Sequence, residues 1–411
     1  MFDVKEIRKD FPMLTTSKVA NGEKPFVYFD NGATTLKPFS VIKARDQYAL
    51  EENANSHRGD YDIAYKVDTK VKECRENVAK FFNVNSKEIV FTNGCTSSLN
   101  LVAFGYGLKY LKKDDIILLT EAEHASNVLP WFKVSEMTGA KIEYIPLTEE
   151  GRLTVDNLLK VISNKVKIIS IAYISNVLGY KCDLKSLTRI AHEFGAIVVC
   201  DAAQSAPHVK MDLKDLDVDF MTLSGHKMLA PTGIGVLYGK QDLLVKTDPF
   251  MTGGGDNARF DMSGNVAFLE PPAKFEAGTL NLEGIYGLDE AINYLNKIGL
   301  DNIEKYELEL KKYAISKLKT LQNVKIYNEN SESGIIAFNI DGVFAQDEAS
   351  YLNSKGICVR SGEHCAKLLK ERIGKTGSVR ASFYFYNTKE EIDYFVEMLK
   401  NGGDFLDAYF D

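Results

Sequence analysis

Two short apolar runs that end in polar residues decide the fold: Ile197-Val-Val-Cys-Asp-Ala-Ala-Gln204 and Phe220-Met-Thr-Leu-Ser-Gly-His-Lys227. Each run has the length of a buried strand, and the apolar spacing of residues 184–194 before the first run predicts a helix. Strands that alternate with helices imply right-handed crossovers and a largely parallel sheet that is covered on both faces. The sequence therefore predicts an α/β fold.

The same alternation continues on the N-terminal side of these runs and changes after about residue 250. A Gly-rich stretch at 252–256 and an irregular segment at 270–274 place the main domain boundary within residues 265–300. The further predicted strands are Glu88–Thr92, Ile116–Thr120, Lys141–Pro146 and Val166–Ile174, and the further predicted helices are Cys95–Tyr106 and Asp301–Leu321.

Composition narrows the class of protein. The 411 residues are 45% hydrophobic and 26% charged, as in ordinary globular proteins, which excludes disordered, collagen-like and disulfide-scaffold classes. The formal net charge of −7 argues against a nucleic-acid-binding surface. We also expect no membrane partner and a cytoplasmic location, since no stretch approaches about 18 apolar residues and no secretory signal is evident.

The six cysteines form no C-x-x-C pair, so the short spacing of a zinc site is absent and we predict no metal ligands. We expect five of them to be reduced and buried. Cys365 differs because it lies in the Gly-containing turn 360–366, where Arg360 and His364 could favour its thiolate form. The six are Cys74, Cys95, Cys182, Cys200, Cys358 and Cys365.

Asp201 and Lys227 follow consecutive predicted strands and are 26 residues apart. Because the carboxyl ends of parallel strands meet at one edge, both side chains can face one crevice. A lysine that can form a Schiff base and an aspartate that can pair with a pyridinium nitrogen are the two groups that a pyridoxal phosphate (PLP) site needs. A lone lysine would instead be an ordinary surface charge.

A phosphate cradle is also predicted at this edge. Residues 93–96 (Asn-Gly-Cys-Thr) lie between a strand and a helix whose free amides can bind an anion, although no Walker motif occurs. Ser224 and His226 can add side-chain donors. His124 offers a flat ring at the same edge.

These residues resemble those of the class V aminotransferase-like PLP enzymes, and most closely the Suf-type (group II) cysteine desulfurases. The resemblance runs from about residue 27 to residue 388. The blocks that carry it are Glu123-His-Ala125, Ile174-Ser-Asn-Val-Leu-Gly179, Asp201-Ala-Ala-Gln204, Ser224-Gly-His-Lys-Met228, Pro231-Thr-Gly-Ile-Gly235, Phe275-Glu-Ala-Gly-Thr-Leu280, Val359-Arg-Ser-Gly-Glu-His-Cys-Ala366 and Val379-Arg-Ala-Ser382.

The resemblance implies fold type I of the PLP-dependent transferases, with a mostly parallel seven-stranded sheet in a large domain and a smaller α+β C-terminal domain. It divides the chain into an N-terminal segment that packs with the small domain (1–25), a large PLP-binding domain (26–265), an interdomain and dimer segment (266–300) and a small domain with the catalytic cysteine loop (301–411). A homodimer is expected.

The resemblance also implies the roles of individual residues. Cys365 would be the nucleophile, and Lys227 and His124 would complete the catalytic set. Asn176, Arg380 and Arg360 would bind the substrate. The implied cofactor contacts are Lys227 as the covalent anchor, Asp201 at the ring nitrogen, Gln204 at the phenolic oxygen, His124 on the ring face, and Cys95, Thr96, Ser224 and His226 at the phosphate, joined by Thr279 of the partner subunit.

The expected activity is conversion of L-cysteine to L-alanine, with the sulfur passing as an enzyme persulfide to an acceptor or activator protein of the Suf system for iron–sulfur cluster assembly. Selenocysteine lyase activity is an alternative. A class V aminotransferase or epimerase would use Lys227 and Asp201 without Cys365.

The sequence departs from the Suf-type pattern at three places. Glu363 precedes His364 where the family usually has histidine, and a carboxylate near the sulfur would oppose thiolate formation. A side chain that faces away or pairs with Lys367 would matter little, and we favour that interpretation. Cys95 stands where threonine is common, and residues 366–370 lack the expected small or Pro-rich continuation.

Overall fold

The computed structural model describes residues 2–56, 59–255, 257–374 and 377–401. The last ten residues of the predicted small domain and Asp256 of the Gly-rich stretch lie outside the described residues. The strands are β1 (Val27–Tyr28), β2 (Ile89–Thr92), β3 (Ile116–Leu119), β4 (Lys141–Tyr144), β5 (Val166–Ala172), β6 (Ile197–Asp201), β7 (Phe220–Ser224), β8 (Gly235–Gly239), β9 (Ala258–Phe260), β10 (Val266–Phe268), β11 (Val324–Ile326), β12 (Ile335–Ile340), β13 (Ile357–Cys358), β14 (Arg360–Gly362) and β15 (Ser378–Ser382).

The helices cover the faces of the sheets and connect successive strands. They are α1 (Val4–Arg8), α2 (Pro12–Thr15), α3 (Phe39–Glu51), α4 (Asp62–Phe81), α5 (Cys95–Val102), α6 (Leu108–Tyr110), α7 (Leu129–Thr138), α8 (Val155–Leu159), α9 (Leu184–Glu193), α10 (Leu213–Leu216), α11 (Gln241–Lys246), α12 (Leu282–Ile298), α13 (Leu300–Leu318), α14 (Ala345–Ser354), α15 (Lys370–Ile373) and α16 (Lys389–Asn401).

The large sheet has the strand order β2-β8-β7-β6-β5-β3-β4 among the described residues. The strands β7, β6, β5, β3 and β4 are parallel, and β8 runs antiparallel to both of its neighbours. This confirms the predicted α/β fold with a mostly parallel seven-stranded sheet. The carboxyl ends of β5, β6 and β7 therefore meet at one edge.

Both faces of this sheet are buried, as the continuous apolar runs predict. Along β3, Ile116 and Leu118 belong to one hydrophobic cluster, whereas Ile117 and Leu119 belong to another. Successive side chains of a strand point to opposite faces, so the two clusters lie on the two sides of the sheet. Because both faces of the sheet are packed, the strand ends that carry the polar residues are held in place.

The predicted helix 95–106 differs in detail. It is α-helical only to Val102, continues as a π-helical turn over Ala103–Gly107 and ends with α6. Inside that turn, a Cβ added to Gly105 would lie 2.3 Å from the carbonyl oxygen of Asp248, so the helix packs too closely there for a side chain. The sequence pattern alone does not reveal this contact.

A second, antiparallel sheet with the order β11-β12-β15-β14 lies C-terminal to the predicted boundary. The N-terminal segment contacts this part of the chain, since Arg8 forms an ion pair of 2.8 Å with Glu391 and donates to the carbonyl of Tyr386 at 2.6 Å. We keep the four-part domain division as a proposal. No helix in the described ranges is long and apolar enough to cross a membrane.

Candidate active site

A cavity of about 180 Å³ lies at the carboxyl ends of β5, β6 and β7. Ala172, Asp201 and Thr222 are register partners across these three strands, which places the end of β6 in the middle of the edge. The sequence-predicted residues that line the cavity are Cys95, Thr96, His124, Asn176, Asp201, Gln204, Ser224, His226, Lys227, Arg360 and Arg380.

Asp201 and Lys227 face this one cavity from the ends of neighbouring strands. Asp201 is buried, and its Oδ1 accepts hydrogen bonds from the amide of Ala203 at 2.9 Å and from the thiol of Cys95 at 3.3 Å. Burial lowers the pKa of Lys227, although the nearby carboxylate of Asp201 acts in the opposite direction. A lowered lysine pKa makes the free amine more available as a nucleophile and base.

The N-terminus of α5 forms one wall of the cavity. Gly94 precedes it with φ of 147°, and the amide of Cys95 donates to Ser224 Oγ at 2.9 Å. The hydroxyls of Thr96 and Ser126 are 2.8 Å apart. The side-chain oxygens of Thr96 and Ser224 thus lie beside the amides of a helix start, the arrangement that binds anions.

His124 and His226 are both held neutral. Burial and the adjacent Lys227 lower the pKa of His124, whose Nδ1 accepts the amide of Ser126 at 3.1 Å. The ring proton of His124 is therefore assigned to Nε2. Burial lowers the pKa of His226 to about 4. Each imidazole can donate one hydrogen bond without adding a charge to the cavity.

Two residues without an assigned role in the sequence analysis support this edge. Glu123 is buried, which raises its pKa to about 7, and its carboxylate accepts from the amide of Ala172 at 2.8 Å. Lys37 donates to the carbonyl of His226 at 2.8 Å, and burial lowers its pKa to about 7. The first holds the loop that carries His124, and the second holds the turn that carries Lys227.

Arg380 enters the cavity from β15 and is 2% exposed. Its Nη1 donates to the carbonyl of Asn176 at 2.8 Å and its Nη2 to Asp30 Oδ1 at 3.1 Å. Arg380 Nε and Asn176 Oδ1 are buried without a hydrogen-bond partner among the described residues. Buried unpaired polar atoms are rare, so these two indicate a polar ligand.

Cys365 is exposed beside the cavity. It and His364 both have left-handed backbone conformations, with φ of 59° and 50°. Such residues persist only where their surroundings hold them. Here the amide of Ala125 donates to the carbonyl of Cys365 at 2.7 Å, and Asn176 Nδ2 donates to the carbonyl of His364 at 2.8 Å.

The expectation that His364 favours the thiolate as a cation is wrong. His364 is buried, and burial together with two nearby arginines lowers its pKa to about 3, so the ring is neutral. Arg360 is the cation at the sulfur, with Nη2 3.7 Å from Cys365 Sγ. The sequence motif shows that a histidine is adjacent, but only the fold shows that it is buried.

The other cysteines are less accessible than Cys365. Burial raises the pKa of the thiol of Cys95 well above its ordinary value, so it is not a competing nucleophile. Cys74, Cys182 and Cys200 are also buried, and Cys358 is half-buried.

Thr279 lines a second cavity next to Asn93 and not the cavity of Lys227 in its own chain. No metal-holding group of three or more His, Cys, Asp or Glu occurs among the described residues.

We expect Arg360→Gln to slow alkylation of Cys365 at neutral pH several-fold, because it removes the guanidinium whose Nη2 lies 3.7 Å from the sulfur. The reaction is measured with iodoacetamide in the absence of substrate. Glu363→Gln is the matched control, since Glu363 is half-buried on the same short loop, and its rate should stay within about two-fold of the wild type. Equal alkylation rates for Arg360→Gln and the wild type would contradict the role of Arg360 at the sulfur. Faster alkylation in Glu363→Gln would show that the Glu363 carboxylate lowers the reactivity of Cys365.

A profile of the aminotransferase class V family matches residues 27–395, a range that includes every wall of this cavity. The chain belongs to the class V aminotransferase family. Its relatives in this family include a probable cysteine desulfurase of Halalkalibacterium halodurans, 42% identical over 406 residues that cover 98% of this chain and 99% of that protein. A probable cysteine desulfurase of Staphylococcus aureus is 40% identical over 412 residues that cover 100% of this chain and 99% of the relative.

Two solved structures of cysteine desulfurases have the same fold. The apo cysteine desulfurase from Thermococcus onnurineus superposes with a TM-score of 0.91 at 38% identity, covering 97% of each chain. The cysteine desulfurase CsdA from Escherichia coli superposes with a TM-score of 0.89 at 35% identity, covering 98% of each chain. The chain, with its large and mostly parallel sheet, therefore has fold type I of the PLP-dependent enzymes.

Proposed function

We propose that this class V protein is a PLP-dependent cysteine desulfurase that converts L-cysteine to L-alanine and keeps the sulfur on Cys365. The observation that carries the proposal is the position of Cys365: its sulfur lies 3.7 Å from the Arg360 guanidinium, beside the cavity that holds Lys227 and Asp201. An aminotransferase or epimerase needs the lysine and the aspartate, but it has no need for a thiol at that place.

The cavity fits PLP. The buried carboxylate of Asp201 suits a protonated ring nitrogen, and Lys227 has no hydrogen bond to any described residue, so its amine is free for covalent attachment. Thr96, Ser224 and the first amides of α5 provide donors for the phosphate. PLP supplies an electron sink for a carbanion formed next to its site of attachment.

The substrate groups have matching partners. The carboxylate of L-cysteine would bind Arg380, whose Nε is unpaired, because a guanidinium can hold a carboxylate through two parallel hydrogen bonds. Asn176 would donate to the same carboxylate through the second hydrogen of its Nδ2, since the first goes to the carbonyl of His364. The thiol end of the substrate would then face Arg360, which lines the same cavity, and Cys365 next to it.

The chemistry of the chain is a proton transfer followed by sulfur transfer. Lys227 Nζ, made less basic by burial, takes the Cα proton of the substrate. The thiolate of Cys365 attacks the substrate sulfur, so that an S–S bond forms and the C–S bond breaks, and the electron pair stays with the carbon fragment. Neutral His124, with its proton on Nε2, can give a proton to Cβ of that fragment, and Lys227 returns the first proton to Cα, so that the fragment leaves as alanine.

We further propose that the protein is a cytoplasmic homodimer in which Thr279 of the partner subunit completes the phosphate site, and that a Suf-type acceptor or activator protein takes the sulfur for iron–sulfur cluster assembly. The position of Thr279 in a cavity adjoining Asn93, away from its own Lys227, supports the first part. A monomer with full PLP occupancy in sedimentation equilibrium would contradict it.

The proposal is tested by incubating the purified full chain with PLP and L-cysteine in the presence of a thiol reductant. We expect alanine and sulfide in equal amounts, since every sulfur removed from the substrate leaves one alanine. Pyruvate as the main product, or racemised cysteine without sulfide, would contradict it. L-selenocysteine in a parallel reaction shows whether selenium is preferred.

A further inference from the structure

Arg372 is seven residues after Cys365 and joins three groups of the large domain. Its Nε donates to Glu121 Oε1, and its Nη1 donates to the carbonyls of Thr148 at 2.8 Å and Glu149 at 2.9 Å. Its side chain is 27% exposed. One guanidinium thus satisfies a carboxylate and two carbonyls in a turn that lies outside the cavity.

Apolar side chains support the same attachment. Ala366, Leu369 and Ile373 are fully buried in one cluster with Ala122 and Val177. Ala122 is two residues before His124, and Val177 directly follows Asn176. The segment after the nucleophile therefore packs on the two loops that carry a catalytic and a substrate-binding residue of the proposed site.

The chain before Cys365 is fixed as well. β14 ends at Gly362 and pairs with β15 through Arg360 and Ser361. Only residues 363–365 lie between this strand and the buried Ala366, and two of them have left-handed backbone conformations. A loop this short cannot carry the sulfur far while both of its ends stay in place.

We propose that Arg372 is a positioning residue that locks the segment 366–373 onto the large domain and so holds Cys365 beside the cavity. Because one point charge with three rotatable donors cannot reproduce the planar guanidinium fork, lysine should not replace it fully. On the proposed desulfurase function, Arg372 therefore acts on the reaction through the position of Cys365.

The test compares Arg372→Leu with Arg189→Leu in the PLP-loaded protein. Arg189 is the matched control because it is exposed on α9 and its ion pair within the described part of the chain is with Glu193, four residues away. Hydrogen–deuterium exchange of residues 363–373, measured without L-cysteine, should become at least ten-fold faster in Arg372→Leu and stay unchanged in Arg189→Leu. With L-cysteine, kcat should fall about ten-fold while KM stays within two-fold, because Arg380 on β15 lies outside the released segment and still holds the substrate carboxylate, whereas the nucleophile is displaced.

Exchange and kcat within two-fold of wild type in Arg372→Leu would overturn the proposal. If Arg372→Leu does not fold, Glu121→Gln replaces it, because this variant removes only the charged partner of Arg372. Exchange should then become two- to three-fold faster and kcat two- to three-fold lower than in the wild type. Unchanged exchange and kcat in Glu121→Gln would overturn the proposal. Arg372→Lys should lie between wild type and Arg372→Leu. A wild-type protein that makes no sulfide would refute the desulfurase assignment alone, since the exchange result needs no turnover.

Discussion

The Lys227→Ala variant should no longer carry PLP on the peptide that contains residue 227 after borohydride reduction, whereas the wild-type protein should carry it there. Of the described residues that line the cavity, Lys227 is the one that carries a side-chain primary amine, and alanine offers no nitrogen for covalent attachment. The rate of alanine and sulfide production should fall by about 10²- to 10⁴-fold, which is the range for loss of a general base. Absorption spectra, peptide mass analysis and product assays measure these effects.

Lys210→Ala is the control for this experiment, because Lys210 is an exposed lysine outside the cavity. It should keep the visible absorption band, the modified peptide and the activity of the wild type. A Lys227→Ala protein that is still modified at the same peptide, or still turns over L-cysteine at the wild-type rate, would remove Lys227 from the mechanism. A wild-type protein that shows no visible absorption band after incubation with PLP would refute the cofactor assignment.

The Cys365→Ser variant should bind PLP with an unchanged absorption band and produce almost no sulfide or alanine from L-cysteine. The hydroxyl of serine stays protonated at neutral pH and is a poor nucleophile towards sulfur, whereas Cys365 presents a thiol 3.7 Å from the Arg360 guanidinium. We expect activity to fall by several orders of magnitude. Band position and product formation are measured on the same sample.

Cys358→Ser is the control, since Cys358 is half-buried on β13, where burial raises the pKa of its thiol. That variant should keep nearly all activity. If Cys365→Ser turned over amino acids as fast as wild type, the class V aminotransferase or epimerase alternative would be correct.

The sequence predicts the centre of the fold because local signals agree there. Asp201 and Lys227 follow continuous apolar runs, and such runs become the buried strands β6 and β7 in the structure. The strand β8 is not predicted, since its short run Gly235–Gly239 is bounded by glycines and resembles a loop. Its antiparallel place between β2 and β7 depends on tertiary packing.

Charge states within the site are less predictable than positions. The motif around Cys365 suggests two cations, but His364 is neutral because neighbouring elements bury it. Lys37 lies in an unremarkable stretch of sequence and nevertheless reaches the carbonyl of His226 across 189 residues of chain. The contacts that hold Cys365 at Ala125 and Asn176 are likewise long-range, and no local pattern indicates them.

The most direct test of the central claim is the mass of the peptide that contains Cys365 after the PLP-loaded protein meets one equivalent of L-cysteine without reductant. The proposed mechanism predicts that this peptide gains the mass of one sulfur atom and that one alanine is released for each modified chain. No other cysteine peptide should change. Release of alanine or pyruvate with the Cys365 peptide at its original mass would contradict the claim.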